Sequence, residues 1–213
     1  MTDTASPLVS PALAAPRTLR SPDEQRHDEL LQRATDLASV FAERAPRAEE
    51  LRRLPPENER DLHDSGLYRM LQPRAIGGAE LGYESLITIG AALAAGCAST
   101  AWNLTNLASH HWMLAMFPPA AQDRIWREAP DALIASSFVF PAAKVARAPG
   151  GYVVSGRWPF SSGVDVCSWN MLAGIVRDEG GAPDHRVFLV PRADYRILDT
   201  WHVTGLKGTG SND

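Results

Sequence analysis

The sequence predicts a segregated α+β chain, with an all-α helical domain over residues 21–130 and an antiparallel β-domain over 131–213. Three observations predict it. Apolar residues recur at helical spacing through most of the first 127 residues. From Asp131 onward, "DALIASSFVF", "AKVARAPGGYVVSGRW", "SWNMLAGIV" and "HRVFLVPRADYRIL" are short β-rich runs separated by Pro, Gly and Asp clusters. The helices precede the strands, without the βαβ alternation of a parallel α/β fold. With 45% hydrophobic and 22% charged residues, the 213-residue chain can bury a substantial core.

The N-terminal stretch 1–20 is rich in Ala, Pro and Ser, with prolines breaking its apolar positions, and is expected to be a disordered arm. Ser21-Pro22-Asp23-Glu24 reads as a helix start: serine caps, proline suits the first turn and Glu24 closes a capping box. Leu30, Leu31, Ala34, Leu37, Ala38 and Phe41 give that helix its buried face, and Pro46 is expected to end it or to lie just beyond its end. A second helix runs from Pro55-Pro56 to a left-handed cap at Gly66. "LQPRAIGGAELGYES" is a loop. Two helices over about 83–96 and 98–117 follow, and Pro118-Pro119 opens a shorter one to about Arg127. In the β part, "APGGY" reads as a hairpin turn. The sequence ends on "WHVTGLKGTGSND", a glycine-rich turn read as mobile, with no capping element behind it. An unpaired sheet edge and a fragmentary or truncated chain are therefore expected.

Composition excludes several functions. A net charge of −4 with no Lys/Arg block argues against nucleic acid as a partner. Ser85 to Gln122 contains no charged residue, yet its Ser, Asn and His positions leave no apolar run long enough for a membrane span. Cys97 and Cys167 form no CxxC and no Cys/His cluster, so free thiols in a reducing cytoplasm are expected and no metal site.

On the 98–117 helix, Ser99, Asn103, Asn106 and His110 fall at i, i+4, i+7 and i+11 and share one face. Buried polar groups need partners. Either neighbouring helices and water satisfy the stripe, or it lines a polar pocket in which His110 binds or deprotonates a substrate hydroxyl. His111 points elsewhere and is read as structural or exposed. In "IASSF", alternation sends Ser136 and Ser137 to opposite faces, so one of them can meet a ligand. In "SGRWPFSSGVDVCSW", small hydroxyls sit between large aromatics beside a glycine. This is either a tight turn near core aromatics or a ligand edge. In the second case Ser161, Ser162 and Gly163 meet the heteroatoms of a flat ring system, and Trp158 or Phe160 meets its face.

Taken in order, "LQPRAIGGAEL", "HHWMLAMFPPAAQDRIW", "IASSF", "GGYVVSGRWPFSSGVDVCSW" and "WHVTGLKGTGSND" resemble flavoproteins of the acyl-CoA dehydrogenase fold. Within that fold they resemble the two-component flavin-dependent monooxygenases, among them the 4-hydroxyphenylacetate hydroxylase oxygenase component. The resemblance covers nearly all of Ser21 to Asp213. It implies a helical domain, a middle β-domain, and a C-terminal four-helix domain that these residues do not contain. It also implies a homotetramer in full-length form and a separate reductase that delivers reduced flavin, FMN or FAD. With O2 the flavin would form a C4a-hydroperoxide that hydroxylates a small aromatic substrate. By the resemblance, Ser162 matches the serine near the flavin N5, Ser137 rather than Ser136 matches the strand serine, and His110 matches the histidine that contacts substrate, with Asn106 beside it.

The acyl-CoA dehydrogenases proper are the alternative. They carry a TEP-x-x-GSD-type segment where this chain has "SSFVFPAAKV", and their catalytic glutamate lies in the part absent here. A truncated, non-catalytic flavin-fold remnant is the third reading.

Overall fold

The computed structural model describes residues 20–177 and 181–213. Residues 1–19 of the expected arm lie outside the described residues. Helix α1 (Pro22–Leu51) opens with the expected capping box: Glu24 N–H donates to Ser21 Oγ and Ser21 N–H to the Glu24 carboxylate. It does not stop at Pro46, which sits inside it. A proline there removes one helical hydrogen bond and crowds the preceding turn, at a cost of about 3 kcal/mol. Tertiary contacts of the last turn offset this cost. Ala48 is fully buried, and the Glu49 carboxylate accepts from Ser99 Oγ (3.0 Å) and from the backbone N–H groups of Lys207 and Gly208 (3.3 Å each).

Helix α2 (Pro56–Asp64) leads to Gly66, which has the expected left-handed conformation (φ +75°). Helices α3 (Tyr83–Ala94), α4 (Ala98–Leu114) and α5 (Pro119–Trp126) follow, each close to its predicted span. Among the described residues no helix is long and apolar enough to cross a membrane.

Five strands complete the chain: β1 (Ile134–Ser137), β2 (Ala143–Ala148), β3 (Gly151–Gly156), β4 (Trp169–Val176) and β5 (Asp184–Pro191). β2 and β3 form the predicted hairpin, with Gly150 at φ +81° in its two-residue turn. A three-stranded sheet has the order β1-β4-β5. The expected antiparallel pairing holds for β4–β5 and β2–β3, whereas β1 runs parallel to β4. A parallel pair needs a long crossover, and the hairpin together with 157–168 supplies it. The hairpin can lie across β4 because a Cβ at Gly174 would come within 2.8 Å of Val145 Cγ2.

One core cluster joins the two halves. Leu30, Phe41, Leu62, Leu93, Leu104 and Leu107 of the helices pack with Leu133, Ala135, Val164 and Cys167 of the β part. Both cysteines are buried free thiols. The C-terminal segment does not form the mobile turn expected of "GLKGTGSND". Residues 208–212 are buried, and Ser161 pairs with Asn212 as an isolated antiparallel bridge. That packing positions the site.

Candidate functional site

The segment 159–163 is held from both sides. Ser161 N–H donates to the Asn212 carbonyl (2.9 Å) and Gly163 N–H to the Thr209 carbonyl (3.0 Å). Ser137 Oγ donates to the Pro159 carbonyl (2.7 Å). Between these ties Phe160 adopts φ +68°, a conformation that costs a non-glycine residue roughly 1–2 kcal/mol. Its ring, 64% exposed, stands edge-on to Trp201 at 6.3 Å between centroids. Gly163 also has positive φ (+71°), and a Cβ there would lie 3.0 Å from Leu107 Cδ1. The glycine brings this turn against α4.

The turn, α4, β1 and the C-terminal segment line a half-open cavity of about 310 Å³. Trp102, Asn106, Ser136, Phe160 and Ser162 line it, together with Trp201, Leu206, Thr209 and Ser211 from the C-terminal segment. None of these side chains is charged.

His110 stands directly behind Ser136. Its Nδ1 is 2.6 Å from the Ile134 carbonyl, which can only accept, so Nδ1 carries the proton. Nε2 is then a lone pair, 2.8 Å from Ser136 Oγ, and accepts the serine proton. Burial pushes the imidazole pKa down to about 4, against the opposing effect of the Ile134 carbonyl. The ring is neutral at physiological pH.

The predicted residues divide among several places. Asn106, Phe160 and Ser162 share the cavity, and His110 reaches it through Ser136. Ser137, favoured by the resemblance, faces away and ties down Pro159, while Ser136 faces the cavity. Trp158 and Ser161 line a different cavity of about 320 Å³, with Asn170, Tyr195 and Asp213. Trp158 Nε1 donates to the Ala173 carbonyl there (2.8 Å). The polar stripe on α4 is split as well: Ser99 donates to Glu49 and Asn103 Nδ2 to the Gly208 carbonyl (3.3 Å), both structural partners. His111 is buried against Trp126.

Sequence reasoning missed Trp102, Trp201, Thr209 and Ser211. Trp102 lies one position before Asn103 of the stripe, and its Nε1–H donates to Ser162 Oγ (2.9 Å). The other three belong to a stretch whose glycines read as disorder. The available signal was the hydroxyl spacing in "GTGS" after a tryptophan.

Known proteins agree with this architecture. Residues 24–128 match the acyl-CoA dehydrogenase N-terminal domain family. The chain is 40% identical to the oxygenase component of the FADH(2)-dependent resorcinol hydroxylase of Rhizobium sp. (strain MTP-10005), over 87% of this chain and 45% of that protein. The crystal structure of the HsaA monooxygenase from M. tuberculosis superposes with a TM-score of 0.84 at 38% identity, covering 87% of this chain and 50% of that one. XiaF from Streptomyces sp., in complex with FADH2 and glycerol, superposes at 0.83 with 32% identity, covering 89% and 48%. The chain spans about half the length of the curated relatives it matches. Its first half thus matches the acyl-CoA dehydrogenase N-terminal domain family, and its homologues are oxygenase components of flavin-dependent monooxygenases.

Proposed function

We propose that this chain belongs to the oxygenase component of a two-component flavin-dependent monooxygenase that hydroxylates a phenolic ring. Reduced flavin, FMN or FAD, comes from a separate reductase, and the full-length form is a cytoplasmic homotetramer. The division of the chain near residue 130 is part of the same reading. One observation carries it: an uncharged cavity joins Ser162, Phe160, Asn106 and the Ser136–His110 pair.

The residues present suit a flavin ring. Three aromatic side chains offer flat apolar contact, and the four hydroxyls of Ser136, Ser162, Thr209 and Ser211 line the same cavity. The volume is at the lower end of the roughly 300–1,000 Å³ of small-molecule sites. Trp102, Phe160, Trp201 and Ser162 would hold the ring, with Asn106 and Ser136 toward the substrate. When bound, reduced flavin with O2 supplies the oxygen inserted into the aromatic ring. The lack of charged groups and the aromatic lining by Trp102, Phe160 and Trp201 make the cavity wall apolar, the setting in which loss of oxidising equivalents to water is limited once the site is covered.

A substrate phenol would donate a hydrogen bond to Ser136 Oγ, whose own proton is directed to Nε2 of His110. Because burial keeps His110 unprotonated, the acceptor lone pair is present throughout the neutral range. That hydrogen-bond relay polarises the phenol O–H and so raises the reactivity of the ring toward electrophilic oxygen.

The test is product yield in the complete enzyme. His110→Ala and Ser136→Ala should each lower hydroxylated product per flavin oxidised by at least about 100-fold, the scale of lost acid–base catalysis. Reduced-flavin affinity should change by less than about threefold. Unchanged yield in both variants removes the pair from the mechanism. Bleaching of bound oxidised flavin by an acyl-CoA would favour the dehydrogenase, and absence of any flavin binding would favour the remnant.

A further inference from the structure

A second apolar space adjoins the cavity. Between α3 and α4 an open groove of about 420 Å³ runs along Ala91, Ala94, Ala98 and Ala101. Trp102 and Leu206 line both this groove and the cavity, so the two spaces meet at these side chains. No charged residue lines the groove, and the polar side-chain groups beside it are already spent. Thr105 Oγ1 donates to the Ala101 carbonyl (3.0 Å), while its Cγ2 faces Gly90, where a Cβ would come within 2.4 Å of it. The Trp102 Nε1–H donates to Ser162 Oγ on the cavity side (2.9 Å). The side chains of the groove thus offer a ligand apolar contact and no hydrogen bond.

The divide between the two spaces is held at a cost. Leu206 is a non-glycine residue at φ +55°, a conformation that costs roughly 1–2 kcal/mol. A glycine would remove that cost, whereas the leucine supplies apolar wall to both spaces. Leu206, Trp102 and Ile87 are all exposed and border the same groove, an apolar patch of the kind that marks binding surfaces.

We infer that the substrate is a phenol carrying an alkyl chain, and that this chain crosses at Trp102 and Leu206 and lies along the alanines of the groove. The inference rests on the phenolic reading of the site. At about 310 Å³ the cavity is at the small end for a ligand site, so a substituent of several carbons has to leave it. The uncharged space it meets across Trp102 and Leu206 is the groove. With no hydrogen bond on offer there, a saturated hydrocarbon is the substituent that loses nothing by entering.

Calorimetric titration of the full chain with phenol, 4-ethylphenol, 4-butylphenol and 4-hexylphenol tests this. A fully buried CH2 is worth about fourfold in affinity, and a groove open on one side should give about twofold for each carbon. 4-Hexylphenol should therefore bind at least about thirtyfold more tightly than phenol. Ala91→Glu and Ala94→Glu, both at exposed helix positions, should weaken 4-hexylphenol at least about tenfold and leave phenol within about twofold. Ala95→Glu, exposed at the same helix end but outside the groove, should change neither. Hexylbenzene, which lacks the hydroxyl, should bind at least about threefold more weakly than 4-hexylphenol. Affinities independent of chain length overturn the inference and leave the phenolic site standing, as does a rise with chain length that persists in both groove variants. Hexylbenzene binding as tightly as 4-hexylphenol also overturns it, since the groove is then an apolar surface apart from the site. A chain that sediments as a dimer and becomes monomeric in Ala94→Glu, with no dependence on alkyl length, assigns the groove to a second copy instead. Binding of no phenol at all removes the phenolic reading and this inference together.

Discussion

His110 and His111 are adjacent in sequence and both buried, yet only one is satisfied. His110 makes a hydrogen bond at each ring nitrogen, to the Ile134 carbonyl and to Ser136. Neither nitrogen of His111 has a partner among the described residues, and its ring stacks on Trp126 at 6.1 Å with 18° between planes. An unpartnered buried polar atom costs on the order of 1–3 kcal/mol. His111→Phe keeps the stacked ring and removes both orphaned atoms, so it should raise stability at pH 7 by about 1 kcal/mol in urea unfolding. A destabilised variant would mean that the nitrogens have partners. Gly163 makes the opposite case. Gly163→Ala forces a left-handed alanine and a close approach to Leu107, and should cost about 2 kcal/mol by the same measurement.

At the scale of elements, the C-terminal end of α1 acts as a clasp for the C-terminal segment. Arg52 makes a bidentate ion pair with Asp199 (2.6 and 2.7 Å), and its guanidinium also reaches the Trp201 carbonyl (3.2 Å). Glu49 holds the 207–208 turn, and Asn212 Oδ1 accepts from the N–H groups of Thr200 and Trp201 (3.1 Å each). The arginine pair is partly exposed and contributes little on its own. The Glu49 carboxylate is the stronger tie, since its loss leaves two backbone N–H groups and Ser99 without an acceptor. Glu49→Ala should therefore expose the Lys207–Gly208 bond, and trypsin should cut there at least about tenfold faster than in the unmodified chain. Equal cleavage rates would place the hold on the loop elsewhere. The continuation of α1 past Pro46 has the same origin. Helix rules predicted a stop, and the contacts of Ala48 and Glu49 with the distant C-terminal segment overrode them.

For the whole molecule, the two histidines tie stability to pH. Burial sets His110 at about 4 and His111 at about 3 in the folded chain, against about 6.5 when unfolded. Between those values the unfolded chain binds protons that the folded chain does not, so stability rises with pH and is complete above about 6.5. On acidification to pH 5 each histidine should cost about 2 kcal/mol, from roughly 1.5 pH units at about 1.4 kcal/mol per unit. Urea unfolding at pH 7 and pH 5 measures the sum, and His111→Phe should remove about half of it. A pH-independent midpoint would show that the histidines are solvated or paired in the native state.

Much of the fold was legible because its determinants are local. The Ser21 capping box, the helical period from Leu30 to Phe41, the left-handed Gly66 and the "APGGY" turn each act within a few residues, and each formed as the sequence predicts. The aromatic–hydroxyl stretch around Ser162 and the polar stripe on α4 were visible as composition in unusual places. Which of their members would meet was not visible, since a period of two or of 3.6 identifies faces and leaves their partners open. Only the packed chain decided that β1 lies parallel to β4, that Ser136 rather than Ser137 faces the cavity, and that Ser161 and Ser162 open onto different cavities. The same holds for the glycine-rich C-terminus, whose order comes from α1 and the 159–163 turn, more than a hundred and about fifty residues away in sequence. Hydrogen bonds and burial between such distant segments depend on the whole fold closing at once, and no local pattern encodes them.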